Sequence, residues 1–484
     1  MRPASEVGSF TKAATAFRGK AWISDAPSAL IFTIVAVAPF PFASVAPAVV
    51  AILCAVAGFA IIGFALQRPI VPAPALVATA IVVIVLGYVL VLYLQVIPRA
   101  PNDHLAHPIW AEASGLIGRN FQTSASIARD QPYYAVGAPL LTLMMFVGGY
   151  FCGSDDRLAR RLLRVIAWAG GCYAVYAILS YAIEPTMVLW QQKDAYTSNL
   201  TGTFTNRNAA AVYFGSISVL WLIIFFRRLG LRRRRRHRHG EPSKRWGQRF
   251  ALPTAGFVTC LLALLLTGSR AGVACSFAGL LVAFAITFRR TLSEQHRRWL
   301  LAGGTAFVVL MVYEVFDSNV GDRLQTEGLA DGGRINVVGS VLKMIADRPV
   351  IGTGLGTFRW SFSAYRSGEI SGWGVYDKAH NVLLEIAAEG GVLLAGLVFL
   401  VWALAIGILL MATRRPRMPA LSIAALSIAT IAILHSLVDF SMQIPAYSIT
   451  VAAIVGAGLA QALQPHQTDP DPVKIEKAAP PVDD

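Results

Sequence analysis

Charged residues are scarce in this chain. They occupy 14% of the 484 positions, whereas hydrophobic residues occupy 55%, and ordinary soluble domains carry about 25% charged residues. This balance excludes a typical soluble globular protein. The sequence instead predicts a protein that crosses a membrane many times.

Cysteine is also rare. The five cysteines lie within or at the ends of apolar runs and never occur at CxxC spacing. This excludes a disulfide framework and a cysteine zinc site, and we expect no metal and no cofactor. The chain also lacks a fixed-period repeat and a matching pair of interrupted apolar runs, which makes a secondary transporter or flippase the weaker alternative.

Long apolar runs are what the chain has in abundance. About twelve of them approach or exceed the length that crosses a hydrocarbon core as a helix, so helices rather than a barrel are expected. The predicted spans are residues 28–45, 46–66, 74–97, 133–152, 162–184, 208–226, 251–268, 271–288, 299–316, 386–412, 418–437 and 444–463. The predicted fold class is therefore all-α and polytopic, with a membrane domain over residues 28–464.

The distribution of positive charge orients these spans. Most of the 42 Lys and Arg residues fall in inner segments if the N-terminal segment 1–27 is cytoplasmic, as the positive-inside rule requires. Both termini are then cytoplasmic, and the tail 465–484 is predicted to be disordered. We interpret run 28–45 as a retained helix because removing it as a signal peptide would break the charge pattern. The basic run 232–236 fits anionic lipid headgroups better than nucleic acid.

Two predicted outer segments, residues 98–132 and 317–385, are long enough to do more than connect helices. The second contains apolar residues at helical spacing before Arg348 and Pro349 end the pattern. These residues are Ile335, Val338, Leu342 and Ile345. They predict an amphipathic helix lying on the outer membrane–water boundary.

Two arginines occur where phosphate binding is plausible. Arg270 occupies a very short turn between two apolar runs, and Arg334 begins the amphipathic helix. Together they would clamp a diphosphate and neutralise it as a leaving group without a metal, because guanidinium forms paired hydrogen bonds with phosphate. The alternative for Arg270 is a side chain that only anchors the turn at the membrane surface.

His380 lies in a polar loop that enters a predicted span. Asn381, Glu385 and Glu389 follow at a spacing that places them along one edge of a helix. Lys378 and the helix N-terminus favour a neutral imidazole that can accept a proton, whereas Glu385 opposes this. The alternative is a capping or packing histidine.

Other candidates receive a structural interpretation. His435 and Asp439 are interpreted as hydrogen-bonded core groups. The run Gly352 to Gly356 is interpreted as a flexible turn rather than a nucleotide loop, because no strand is predicted before it.

These residues together resemble the bacterial O-antigen ligase family, which is grouped with the polysaccharide polymerases. The matches span about residues 200–440 and comprise four local motifs. They are Gly202-Thr203-Phe204 with Asn206, Asn208 and Ala209; Thr267-Gly268-Ser269-Arg270; Arg334 with Pro349, Gly352 and Gly354; and His380-Asn381 with Leu384, Glu385, Glu389 and Gly390. The resemblance implies a membrane fold similar to GT-C type glycosyltransferases.

The resemblance also implies a reaction. A glycan would move from undecaprenyl diphosphate to a sugar hydroxyl of lipid A-core at the periplasmic face of the bacterial inner membrane. His380, Arg270 and Arg334 would be catalytic, and we expect Arg207, Asn381 and Glu385 to contact substrate. A polymerase that uses a second lipid-linked glycan as acceptor is the alternative. Apart from these substrates and membrane lipids, no nucleic-acid partner is expected.

Overall fold

The computed structural model describes residues 25–67, 75–100, 103–239, 246–289, 332–368, 376–415 and 418–464, with residue 370 and scattered residues between 293 and 306. For residues 230–239, 246–249 and 332–335 it describes the backbone alone. The predicted tail 465–484 and most of the predicted N-terminal segment 1–27 lie outside this part of the chain.

The described chain is almost entirely helical. In order, the helices are α1 (Asp25–Val37), α2 (Pro47–Gln67), α3 (Ala75–Val96), α4 (Ile109–Ile117), α5 (Gln131–Ala135), α6 (Gly137–Gly153), α7 (Asp156–Ile183), α8 (Arg207–His239), α9 (Trp246–Leu266), α10 (Arg270–Phe288), α11 (Gly332–Asp347), α12 (Phe358–Tyr365), α13 (Val382–Thr413), α14 (Ala420–Ser436) and α15 (Pro445–Leu463). Short 3-10 turns cover Phe42–Ser44 and Ser441–Gln443, and strands β1 (Met187–Val188) and β2 (Gln191–Gln192) form a hairpin between α7 and α8.

The spans confirm the all-α, multi-pass prediction. Eight stretches of helix in the described chain are long and apolar enough to cross a bilayer, and α1, α9 and α14 supply shorter apolar helices. Every predicted span has a counterpart except 299–316, which lies largely outside the described residues. The first span is shorter than predicted: α1 ends at Val37, because Pro39 and Pro41 interrupt helical hydrogen bonding just beyond it.

The centre of the bundle is the last helix, α15, which is almost completely buried. Glycines let α6 approach it closely: a Cβ on Gly149 would lie 2.2 Å from the carbonyl oxygen of Ala453, and one on Gly456 would lie 2.1 Å from that of Phe146. Small residues at such a crossing allow two membrane helices to pack backbone against backbone.

At one end of the bundle the described parts of the two long loop segments pack together. We call the described residues within 97–130 and 332–381 the cap. Ile127 N–H donates to the Thr353 carbonyl at 2.9 Å, and Arg348 donates to the Ala106 carbonyl at 3.0 Å. The two outer segments that the sequence predicts separately therefore pack together.

The predicted amphipathic helix is present as α11. Val337, Val341 and Met344 are buried against α12 and α13, whereas Leu342, one of the apolar residues of the predicted membrane-facing side, is 51% exposed. The helix therefore has a second apolar face, which packs against protein. Its position relative to the membrane surface stays a prediction.

Candidate active site

His380 occupies the last position before the N-cap of α13, and its backbone is strained. Its φ is +53°, a left-handed value that residues other than glycine rarely adopt. The side chain is 29% exposed and packs edge-on against Phe440, with the ring centres 5.2 Å apart. Strain of this kind persists only where surrounding contacts impose it, and it is concentrated at functional sites.

The partner of His380 is Asp439, in the loop after α14. Nδ1 of His380 lies 3.8 Å from Oδ1 of Asp439, which is ion-pair distance but longer than a hydrogen bond. Because the two ring nitrogens point in different directions, Nε2 points away from the carboxylate. A carboxylate at Nδ1 is the arrangement that leaves Nε2 able to accept a proton.

Asp439 is buried and held in its charged form. Burial by itself would raise the pKa of this carboxyl, but the contact with His380, the charges of His435 and His380 and the Phe440 N–H outweigh burial and lower the pKa to about 2. Phe440 N–H donates to Oδ1 at 2.6 Å, and the Asn208 side-chain amide donates to Oδ2. Sequence analysis treated Asp439 only as a core group. Its location at the end of an apolar run is the signal that marks it, because ionisable residues at membrane depth are usually functional.

A chain of hydrogen bonds connects this pair to the turn that carries Arg270. Ser269 Oγ donates to Asn208 Oδ1 at 2.7 Å, and Asn208 donates to Asp439. Ser269 is also the N-cap of α10, whose first residue is Arg270. Three of the sequence motifs, distant from one another along the chain, therefore meet at one end of the bundle.

Two arginines begin two neighbouring helices at this end. Arg207 is the first residue of α8 and Arg270 the first residue of α10, and Arg270 is exposed. A Cβ on Gly268 would lie 4.0 Å from Nη1 of Arg207, so the turn before Arg270 lies beside the Arg207 side chain. Helix N-termini carry partial positive charge and attract phosphate.

Arg207 is fixed in place by its own loop. Nη1 donates to Asn199 Oδ1 at 3.0 Å, and the guanidinium lies over the Tyr196 ring, 5.1 Å from its centre. Lys193 Nζ in turn donates to the Asn199 carbonyl at 3.0 Å. The segment between β2 and α8 thus holds Arg207 at the start of α8.

Arg334 lies in the first turn of α11, where only the backbone is described. The pairing of Arg334 with Arg270 stays a prediction. The arginine whose described contacts place it beside the Arg270 turn is Arg207.

Asn381 and Glu385 act on the backbone around His380. Asn381 is the N-cap of α13: its Oδ1 accepts from Leu384 N–H and its Nδ2 donates to the Leu437 carbonyl, both at 3.0 Å. Glu385 is buried and accepts from Ala379 N–H at 2.7 Å. These contacts hold the His380 loop, and substrate binding by the two residues stays a prediction.

Lys378 completes this loop. Its Nζ lies 3.3 Å from Glu385 Oε1. Burial would lower the pKa of Lys378, but the charges of Glu385 and Glu389 outweigh it and raise the pKa. A charged lysine therefore stays close to the strained histidine.

The Gly352–Gly356 run is not a flexible turn. Thr353 is fully buried, its N–H donates to the Ala388 carbonyl at 3.0 Å, and the Gly354 N–H donates to the Glu389 carbonyl at the same distance. A Cβ on Gly352 would lie 2.3 Å from the backbone of Glu389. Positive φ at glycines 352, 354 and 356 lets this loop pack directly on α13.

Within the described residues, no three His, Cys, Asp or Glu side chains are grouped so that they could hold a metal ion. The polar groups of the site are an imidazole, a buried carboxylate and the arginines at two helix N-termini. Such a set can accept a proton and bind an anion.

Comparison with known proteins supports this chemistry. Residues 255–399 match the family model described as O-antigen ligase. This segment of the chain is similar to that family. No curated protein matches the chain. The matched segment contains Arg270, the described part of the cap from α11 onward and His380, whereas Asn208 and Asp439 lie outside it and join the site only through the fold.

Proposed function

We propose that this protein transfers a glycan from undecaprenyl diphosphate to a sugar hydroxyl of lipid A-core, at the periplasmic face of the inner membrane. The observation that carries the proposal is the link from His380 through Asp439, Asn208 and Ser269 to the start of α10. It joins a proton acceptor and a group of cationic helix ends in one site.

The anion-binding side of the site suits the diphosphate. Arg207 and Arg270 begin α8 and α10, so two guanidinium groups lie at two neighbouring helix N-termini, and both kinds of group attract phosphate. Diphosphate leaves as charge builds on its oxygens, and fixed positive groups at that position stabilise the departing anion. Arg334 is proposed as a further donor from the cap.

His380 is proposed as the general base. Its Nε2 takes the proton of the acceptor hydroxyl while that oxygen attacks the anomeric carbon, and the bond from this carbon to the diphosphate breaks with its electron pair leaving on the diphosphate. Asp439 stabilises the resulting imidazolium and orients the ring. One displacement inverts the anomeric carbon, because no covalent intermediate is formed.

The test is transfer by the purified full-length protein with a synthetic polyprenyl-diphosphate glycan. His380→Ala should lower kcat by about 100-fold or more, the usual effect of losing a general base. A matched control is His104→Ala, because His104 also lies beside an aspartate, at 3.6 Å, but is 88% exposed in the cap. Near-normal turnover of His380→Ala would remove His380 from this role.

The same assay separates ligase from polymerase. The wild-type protein is offered lipid A-core in one reaction and a second lipid-linked glycan in another. Transfer to lipid A-core supports the ligase, and extension of the second lipid-linked glycan alone replaces it with the polymerase. No transfer to either acceptor contradicts the proposed function.

A further inference from the structure

Asn208 uses both ends of its side-chain amide. Oδ1 accepts from Ser269 Oγ at 2.7 Å, and Nδ2 donates to Oδ2 of Asp439. The residue is buried, and its backbone N–H is bound by Asn206 Oδ1 at 2.7 Å. A leucine offers neither contact and a carboxylate offers only one of them, so the position requires a group that accepts on one side and donates on the other.

The direction of the chain is fixed by the helix cap. Ser269 Oγ accepts from the Gly272 N–H at 3.2 Å, so its own proton is directed to Asn208 Oδ1. The NH₂ group of Asn208 must then face Asp439. This leaves Oδ1 of Asp439 to the Phe440 N–H and to His380.

We infer that Asn208 is a positioning residue that connects the α10 N-terminus to the Asp439–His380 pair and fixes which carboxylate oxygen faces the imidazole. The inference rests on the proposed function, since it assigns Asn208 a part in the same transfer. Asn208 acts through Asp439 and does not contact the reacting atoms. Asn208 lies on α8 and binds both Ser269, in the α9–α10 turn, and Asp439, in the loop after α14. One side-chain amide therefore holds three segments together.

A purely structural role predicts a different result, and a helix-cap variant outside the site separates the two. Asn208→Ala should lower kcat about tenfold, as loss of a supporting hydrogen bond does at other sites, with KM for the lipid-linked donor unchanged. Asp155→Ala is the matched control, because Asp155 caps α7 through the N–H groups of Arg157 and Leu158. It follows Ser154, whose carbonyl accepts from Gln464 just past the end of α15, whereas Asp439 precedes α15. The control should lower the thermal midpoint and leave kcat unchanged. Equal kcat losses in both variants, or none in Asn208→Ala, would overturn the inference.

An exchange of the two side chains provides a second test. In Asp439→Asn the introduced amide meets the Asn208 NH₂ group donor to donor, and in Asn208→Asp two carboxylates meet. The double variant restores every hydrogen bond, because the amide at position 439 now donates to the carboxylate at position 208. We expect its kcat to be about tenfold higher than that of Asp439→Asn alone, since residues in contact couple strongly. A double variant no faster than that single variant contradicts the inference.

A measurement without substrate keeps the two proposals distinct. Diethyl pyrocarbonate modifies accessible imidazole nitrogens, and peptide mass spectrometry reports its rate of reaction at His380 in the full-length protein at one fixed pH. Asn208→Ala should alter this rate, because Asp439 without that donor no longer holds Oδ1 toward the imidazole, whereas the control Asp155→Ala should react like wild type. If the wild type transfers nothing, the proposed function fails, and an unchanged rate in Asn208→Ala overturns the inference independently.

Discussion

Two buried carboxylates at the same end of the bundle have opposite surroundings. Asp439 faces the partly exposed His380 with one oxygen and accepts from a side-chain amide with the other. Glu389 accepts only from backbone in its described hydrogen bonds, from Gly356 N–H at 2.9 Å and Phe358 N–H at 2.7 Å. Asp439 lies beside an imidazole, whose charge changes when it gains or loses a proton. Glu389 instead binds backbone N–H groups at the start of α12 and so holds α12 against α13.

Backbone strain follows the same division. Around Glu389 the positive φ values belong to glycines 352, 354, 356 and 391, which adopt them at little cost. A Cβ on Gly391 would lie 2.0 Å from the Val350 carbonyl oxygen, so glycine is required for the close approach. Beside Asp439 the positive φ belongs to His380, the residue proposed as the general base, and backbone strain of this kind is concentrated at functional sites.

Gln95 adds further hydrogen bonds to the backbone around Glu389. Its Nε2 donates to the Ile351 and Glu389 carbonyls, both at 2.7 Å, and its Oε1 accepts from Leu355 N–H at 2.9 Å. One side-chain amide therefore binds the end of α3, the Gly352–Gly356 loop and α13. These hydrogen bonds attach the cap to the helix bundle.

The largest expected effect is the loss of transfer in Asp439→Asn. The substitution keeps the size of the side chain but removes the charge that stabilises the imidazolium, so kcat should fall about 100-fold or more. The measurement is kcat with the synthetic donor, together with the thermal midpoint in the same detergent. A variant with normal kcat would make the His380–Asp439 contact incidental.

The same variant gives a pH test. A carboxyl whose pKa is lowered in the folded state, here from 3.8 to about 2, stabilises the fold at pH values above its unfolded pKa. That contribution disappears as pH falls through the folded value. The wild type should therefore melt at a higher temperature than Asp439→Asn above about pH 4, and the difference should shrink toward pH 2. A difference that grows on acidification contradicts the assignment.

Glu389→Gln should show the opposite pattern, with a loss of stability and little loss of rate. An amide supplies one acceptor where Gly356 and Phe358 present two donors, so at least one buried N–H loses its partner at about 1–3 kcal/mol. We expect a thermal midpoint lower by a few degrees and kcat within about threefold of wild type. A large kcat loss without a shift in melting would instead give Glu389 a direct part in the reaction.

The spans were predictable because each is a local property of composition. An apolar run of sufficient length forms a helix in lipid wherever it occurs. For example, the span predicted at 271–288 is α10, which begins at Arg270, and the span predicted at 386–412 is α13, which begins four residues earlier, at Val382. The all-α, multi-pass fold was therefore confirmed.

Asp439 was not predicted as the partner of His380 because only the fold brings the loop after α14 against the loop before α13. The hydrogen bond from Asn208 to Asp439 joins residues still farther apart, 231 positions along the chain. The interpretation of the Gly352–Gly356 loop as a flexible turn was wrong for a related reason. Glycine permits both flexibility and close packing, and only the fold shows that Gly352 lies against Glu389.

The smallest expected effect belongs to Asn381, which lies between the two regions. Asn381→Ala removes the N-cap of α13, which contributes about 1 kcal/mol to stability, and it also releases the Leu437 carbonyl near Asp439. Asn381→Asp separates these functions, because aspartate accepts from Leu384 N–H but no longer donates to Leu437. If the cap alone matters, the aspartate variant melts like wild type and turns over normally. If the bond to Leu437 positions the loop beside Asp439, both variants lose a similar few-fold in kcat while only the alanine variant melts early, and we expect this second result.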